Sequence, residues 1–179
     1  MTSSSLQGPR LNYLVASPQV QGGLFEQGVI LLLEHDDTGA LGLLVNAQTQ
    51  TPISELLPLA AGREELAWLG GPVEPHVGWC IYSDATGRDD ELRLSDRLCV
   101  TSSLDVLSRL VEGEQELMLL LGYSGWSKGQ LDRELREGTW LWVEAGPELV
   151  LEVPVADRWR QAVSLLGVDP AKIVRGAQA

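Results

Sequence analysis

"LGYSGWSKGQLDREL", Leu121–Leu135, is the stretch on which the reading of this chain turns. It runs from an apolar segment through closely set glycines, aromatics and serines into a charged tail. With Ser127 as a helix cap, Gln130 stands at the third helical position. Together they complete an S-x-x-Q capping box, in which each side chain satisfies a backbone amide of the other residue. Trp126 just before the cap and Leu131 at the fourth helical position are spaced for a hydrophobic staple. A cap of this kind is worth about 1 kcal/mol, reason enough for Trp126, Ser127, Gln130 and Leu131. Gly138 then closes the helix. The stretch therefore predicts a strand ending at Leu121, a tight glycine turn over Gly122–Gly125, and a helix after Ser127.

Outward from it, short apolar runs bounded by Gly, Pro or Asp predict strands at 11–17, 28–35, 39–46, 66–69, 78–83, 92–100, 116–121, 139–144 and 148–153. The second and third are separated by "DDT", ending at Gly39, which reads as a hairpin. In "TWLWVEA", Trp140, Trp142 and Glu144 alternate with Leu141 and Val143, as expected of a strand packed on both faces. Three further helices are predicted. "TPISELL" carries Thr51 as cap and Pro52 at the first helical position, with Pro58 as the stop. "SSLDVLSRLVEG" sets Leu104, Leu107, Leu110 and Val111 on one stripe. "ADRWRQAVSLLG" turns Trp159, Ala162, Val163 and Leu166 inward and leaves Arg158 at the surface, where an Arg–Trp pair suits partner contact. Asp157 in its first turn suits the helix dipole. The order is not a regular βαβ alternation, so the expected class is one α+β domain over 11–170. A loose lead-in is expected over 1–10 and a tail over 171–179.

Composition narrows the function. Apolar residues are 44% and charged residues 21% of 179, an ordinary globular balance. The longest apolar runs, Val29–Leu33 and Leu117–Leu121, are far short of the about 20 residues a membrane helix needs. "MTSSSLQGPR" has no apolar core to act as a secretory signal. A cytoplasmic location is the expectation. The net charge of −12, with Lys128 and Lys172 the only lysines, argues against direct nucleic-acid binding and against anionic membranes. Cys80 and Cys99 sit in apolar, strand-like runs and read as buried free thiols. His35 and His76 are far apart with no clustered third ligand, so no metal or cofactor is expected.

Chemistry is sparse. "GYSGW" suggests a serine-hydrolase elbow, but Gly125 directly follows Ser124 and Trp126 takes the second glycine's place, so G-x-S-x-G is not met. No catalytic residue is assigned. Outward-facing amides of the glycine turn could hold a small anion. "LLLEHDDTGALG" gathers Glu34, His35 and Asp36, best read as a solvated turn. "LGGPVEPHVGW" places Gly70 and Gly71 after a strand, without the Lys-Ser/Thr ending of a phosphate loop. If that segment lies beside Gly122–Gly125, the two glycine turns would form one cleft.

Taken in order, "YLVASP", "LLLEHDDTGALGLLVN", "LGGPV", "VTSSLDVL", "LGYSGWSKGQLDREL" followed by "GTWL", and "DRWRQAVSLLGVDP" resemble the YqgE/AlgH family of small bacterial proteins, from Asn12 to Pro170. The resemblance implies an α+β domain with a mixed, bifurcated β-sheet and a small barrel-like portion flanked by short helices. It implies a bacterial cytoplasmic protein of a largely uncharacterised family, one branch of which is linked by name to transcriptional control of alginate production. It carries over no catalytic residue and no cofactor. Gly22, Gly28, Val77 and Tyr82 depart from residues common in the family. Glu34, His35, Asn46, Tyr123, Trp126, Gln130, Asp157, Arg158 and Trp159 follow its pattern. The expected function is regulatory, exerted through a protein partner. The binding residues would be Glu34, His35, Asn46, Gly70, Gly71, Tyr123, Ser124, Trp126 and Arg158. The alternative is a small-ligand or anion-binding domain, or a weak hydrolase, built on Gly70–Gly71 and Gly122–Gly125.

Overall fold

The computed structural model describes residues 10–167, so the lead-in before Arg10 and the tail over 171–179 lie outside the described residues. Eight strands follow one another across the sheet. From one edge these are β10 (Trp140–Ala145), β1 (Leu11–Ala16), β2 (Val29–Asp36), β3 (Gly39–Leu44), β9 (Leu117–Ser127), β6 (Val73–Tyr82), β8 (Leu98–Thr101) and β7 (Leu92–Ser95). Neighbours on this path are antiparallel. Off the path, β4 (Gln48–Pro52) pairs antiparallel with β5 (Leu66–Leu69), which lies parallel to β9 and makes the sheet mixed. The helices are short: α1 (Ile53–Leu56), α2 (Leu104–Glu112), α3 (Gln130–Arg136), α4 (Glu148–Leu151) and α5 (Arg158–Ser164). This is the expected single α+β domain with a curled, half-barrel sheet.

Period-2 alternation explains why the sheet is buried on both faces. Tyr13, Val15, Leu31 and Leu43 share a central cluster with Ile81, Leu98, Val100 and Leu120 from the other half of the sheet, so the sheet curls around them. Their neighbours Leu14, Ile30 and Leu44 point the other way, under Trp126, Leu131 and Trp140. On the far half, Cys80, Tyr82, Cys99 and Leu119 face Val106, Leu107 and Leu110 of α2. Both cysteines are free and buried, and burial pushes the Cys80 thiol up to about 12. The Asp36–Gly39 hairpin forms as expected, and Trp140 and Val143 sit in clusters on opposite faces of β10.

The opening stretch behaves differently from its sequence reading. The strand does not stop at Leu121 but continues through the expected turn to Ser127. Residues 117–121 pair with β6, and Leu120–Leu121 also pair with β5, whereas Ser124–Ser127 pair with β3. One strand thus serves both halves of the sheet, and β5 wedges into the fork where β3 leaves β9. Gly70 stands in the fork: its amide donates to Leu121 O, and its carbonyl accepts from the Leu44 amide and the Ser124 hydroxyl. A Cβ on Gly71 would lie 2.1 Å from the Tyr123 carbonyl, and one on Gly122 2.4 Å from Gly71 O. Only glycine lets these backbones meet.

Other differences have local causes. Within the 148–153 segment Glu148–Leu151 is helical, because the Pro147 carbonyl accepts from the Val150 and Leu151 amides and starts a turn. The 92–100 segment is two strands, folded back at Asp96–Arg97 with the Ser95 hydroxyl oxygen accepting from the Arg97 amide. Thr51 lies in β4 rather than capping α1, whose first residue is Ile53. The helix after Ser127 begins at Gln130, with Gly129 left-handed at its N-cap. Half of the capping box survives: the Ser127 amide donates to Gln130 Oε1 at 3.0 Å.

Candidate functional site

Several expected binding residues hold the fold together. Ser124 is 1% exposed, its hydroxyl spent on Gly70 O, so it is not offered to a substrate. Gly70 and Gly71 do meet Gly122 and Tyr123, but as a crossing of backbones that leaves no cleft between them. Asn46 bridges β2 to the segment before it, its Oδ1 accepting from the Val29 amide and its Nδ2 donating to Gln27 O. Arg158, expected at the surface, is 7% exposed. Its guanidinium donates to Val45 O, Val150 O and Val153 O and lies 5.0 Å from the Trp68 ring centroid. Burial lowers its pKa. It is a pin joining α4, α5 and the end of β3, because its five fixed donors fit carbonyls that converge there. Trp159 beside it donates to Ala16 O at 2.8 Å.

Of the remaining expected residues, Glu34 and His35 are exposed, Tyr123 is half-buried and Trp126 is buried at 7% exposure. His35 pairs through Nε2 with Asp132 Oδ1 at 3.1 Å. Glu34, Tyr123 and Trp126 line a shallow groove of about 350 Å³ together with Asp36 and Gly125. Asp36 is held below the usual carboxylate range by the Thr38 hydroxyl and amide. The groove is acidic, a poor place for an anion.

Two features escaped the sequence reading. The first is Glu134 on α3. Its Oε2 accepts from both indole N–H groups, Trp126 Nε1 at 2.8 Å and Trp140 Nε1 at 2.9 Å. Its Oε1 accepts from Gln130 Nε2 at 3.0 Å. Trp126 and Trp140 pack edge to face at 5.9 Å, and Phe25 packs edge to face on Trp140 at 5.6 Å. The available signal was the position of Glu134 one turn beyond Gln130, on the buried side of α3.

The second is a groove of about 280 Å³ between α1, α2, β6 and β9, lined by Leu56, Leu57, Leu104, Leu107, Leu119 and Leu121. Leu104 in the first turn of α2 is 67% exposed and Leu56 37%. Single exposed leucines are ordinary, and what sets these two apart is that both border one groove. The groove exists because β6 bulges away from β9 between Val73 and Gly78, carrying Pro75 and His76 to the rim. Ser103 anchors α2 alongside, its hydroxyl oxygen accepting from the Val106 amide and its O–H donating to Asp90 Oδ2. Exposed Glu55, Glu74 and Asp105 stand next to lining residues in sequence. Sequence showed the leucine stripe of α2 but not that Leu104, at its start, would be left uncovered.

Residues 13–171 match a family model described as AlgH-like. A UPF0301 protein of Vibrio parahaemolyticus is 34% identical over 175 residues, covering 90% of this chain and 94% of that protein. One of Chromobacterium violaceum is 36% identical over 169 residues, covering 89% and 91%. The solution structure of AlgH from Pseudomonas aeruginosa superimposes with a TM-score of 0.76 at 29% identity, covering 97% and 96% of the chains. A crystal structure of a Corynebacterium diphtheriae protein (TM-score 0.69, 23% identity, 89% and 87% covered) shares the fold. This chain belongs to the AlgH-like family.

Proposed function

We propose that this AlgH-like chain is a non-catalytic interaction protein of the bacterial cytoplasm that acts on regulation through a protein partner docked in the leucine-lined groove. The carrying observation is Leu104, a large apolar side chain left 67% exposed beside a preformed apolar groove. Contiguous exposed apolar surface marks interaction sites, whereas single exposed apolar residues do not, and here Leu104 and Leu56 border the same groove. The net charge of −12 and the neighbouring Glu55, Glu74 and Asp105 select the partner's chemistry: an amphipathic segment with apolar residues facing the groove and basic residues facing the rim. The same charge works against direct contact with nucleic acid. No described helix is long and apolar enough to cross a membrane.

The test uses two defined peptides of identical leucine spacing, one with lysine and one with glutamate at the polar positions. The lysine peptide is expected to shift amide signals of α1, of the first turn of α2 and of Pro75–Gly78 neighbours. The glutamate peptide is expected not to. Equal binding of both, or shifts elsewhere, overturns the reading.

A second reading, a small-ligand domain, is favoured by the groove that joins Glu34, Asp36, Tyr123 and Trp126. Its two carboxylates suit a cation rather than the anion expected from sequence.

A further inference from the structure

Glu134 poses a problem that packing alone does not solve. It is half-buried, and among the described residues it takes part in no ion pair. An ionised carboxylate offers about four acceptor positions, of which the two indoles and Gln130 occupy three. The hydrogen bonds satisfy the oxygens but bring no formal positive charge. About one acceptor position is left over, on a carboxylate that lines a pocket.

The surroundings supply the rest. Phe25, Trp126 and Trp140 border a pocket of about 200 Å³ with Glu134 in its lining and Val20 and Pro72 among its apolar residues. Phe25 and Trp126 each meet Trp140 edge to face, near 80°, and all three residues contribute to the pocket's lining. A cavity of about 150 Å³ takes up benzene, so this one admits a compact head group. Gly125 and Trp126 also border the acidic groove of Glu34 and Asp36, which extends the negative surface. Aromatic walls with a carboxylate are the arrangement that attracts quaternary and primary ammonium ions, through ring quadrupoles and charge together.

We propose that the pocket bordered by Phe25, Trp126, Trp140 and Glu134 binds an alkylammonium group. The group is carried either by a small free amine or by a lysine or methyl-lysine side chain of a partner. The rings hold the cation's apolar shell, Glu134 balances its charge, and Val20 and Pro72 contact its alkyl stem. This site is separate from the leucine-lined groove, and neither proposal depends on the other.

The experiment follows the two indole N–H signals of Trp126 and Trp140 in isotope-labelled protein. Choline is titrated beside 3,3-dimethylbutan-1-ol, its uncharged isostere, and beside a peptide containing trimethyl-lysine. Choline or the peptide is expected to shift both signals saturably, and the uncharged isostere is expected to leave them in place. Tighter binding of the peptide assigns the site to a partner side chain, and tighter binding of choline to a free amine. Glu134→Gln, which keeps an acceptor for the indoles, is expected to weaken binding about tenfold, as is Phe25→Leu in the half-buried loop. Phe25→Leu keeps the test valid if Glu134→Gln fails to fold. Equal binding of the isostere, or unmoved indole signals with both amines up to their solubility, overturns the proposal. Unchanged affinity in a folded Glu134→Gln also overturns it.

Discussion

Gly71 shows at the scale of one residue how little freedom the fork leaves. A methyl group there would overlap the Tyr123 carbonyl, and the link between β5 and β6 is held against β9 by the Gly70 amide on Leu121 O. Gly71→Ala is expected to destabilise the protein by about 3 kcal/mol or more, read as a fall in the denaturant midpoint. Gly62→Ala is the comparison: its φ is 90° but it meets nothing within 4 Å, so it should cost less. Arg158 is as constrained for a chemical reason. Three carbonyls from two parts of the chain converge on one guanidinium. Arg158→Lys keeps the charge and loses the fork, leaving carbonyls unpaired at about 1–3 kcal/mol each. Unfolding free energy should fall by about 3 kcal/mol, and an unchanged value would remove the pin. Sequence alone placed Arg158 on the surface, because helical periodicity around Trp159 cannot show that distant carbonyls meet on its other side.

Among the elements, α2 and β9 were legible to different degrees. The leucine stripe of α2 follows from local spacing, and the helix forms over Leu104–Glu112, with Ser103 as its cap and Gly113 as its end in the structure. Its buried and exposed leucines separate structure from recognition. Leu110→Ala removes a fully buried side chain and is expected to cost about 2–5 kcal/mol. Leu104→Ser should change stability by about 0.5 kcal/mol or less yet weaken the lysine peptide's binding. Comparing denaturation with peptide titration for the two variants checks both. In β9 the local signals misled. Glycines at 122 and 125 followed by the spacing of a full capping box read as a turn before a helix, but register pairing with β3 and β6 carries the strand on to Ser127. Glycine there marks close approach of backbones, which only the tertiary partner reveals. The Glu148–Leu151 helix was missed similarly, since a short, largely apolar segment does not distinguish strand from buried helical turn.

For the whole molecule, charge sets both the pH response and the partner. Burial raises Glu91, but hydrogen bonds from the Tyr82 hydroxyl, the Thr86 amide and hydroxyl and the Gly87 amide outweigh it and hold the carboxyl at about 2. A carboxyl depressed by folding gives stability that is complete above its unfolded value of about 4.3. That stability is lost as pH falls through about 2. Asp36 and Asp90 are lowered by their own hydrogen bonds and act in the same direction. Wild type should therefore lose stability between about pH 4.3 and 2, and Glu91→Gln should lose less over that window when circular dichroism follows acid unfolding. The class, the single domain and the two-faced burial were readable from alternation and length. The groove was not, because it depends on β6 bulging away from β9, a relation between strands distant in sequence.

The most direct test of partner docking is site-specific photo-crosslinking in living bacterial cells from position 104, with position 92 as control, since Leu92 is also exposed, at 44%, but lies outside the groove. Position 104 is expected to give a discrete protein adduct whose crosslinked peptide is basic and amphipathic, and which Leu56→Glu abolishes. No adduct, the same adduct from position 92, or an acidic contact peptide would contradict it.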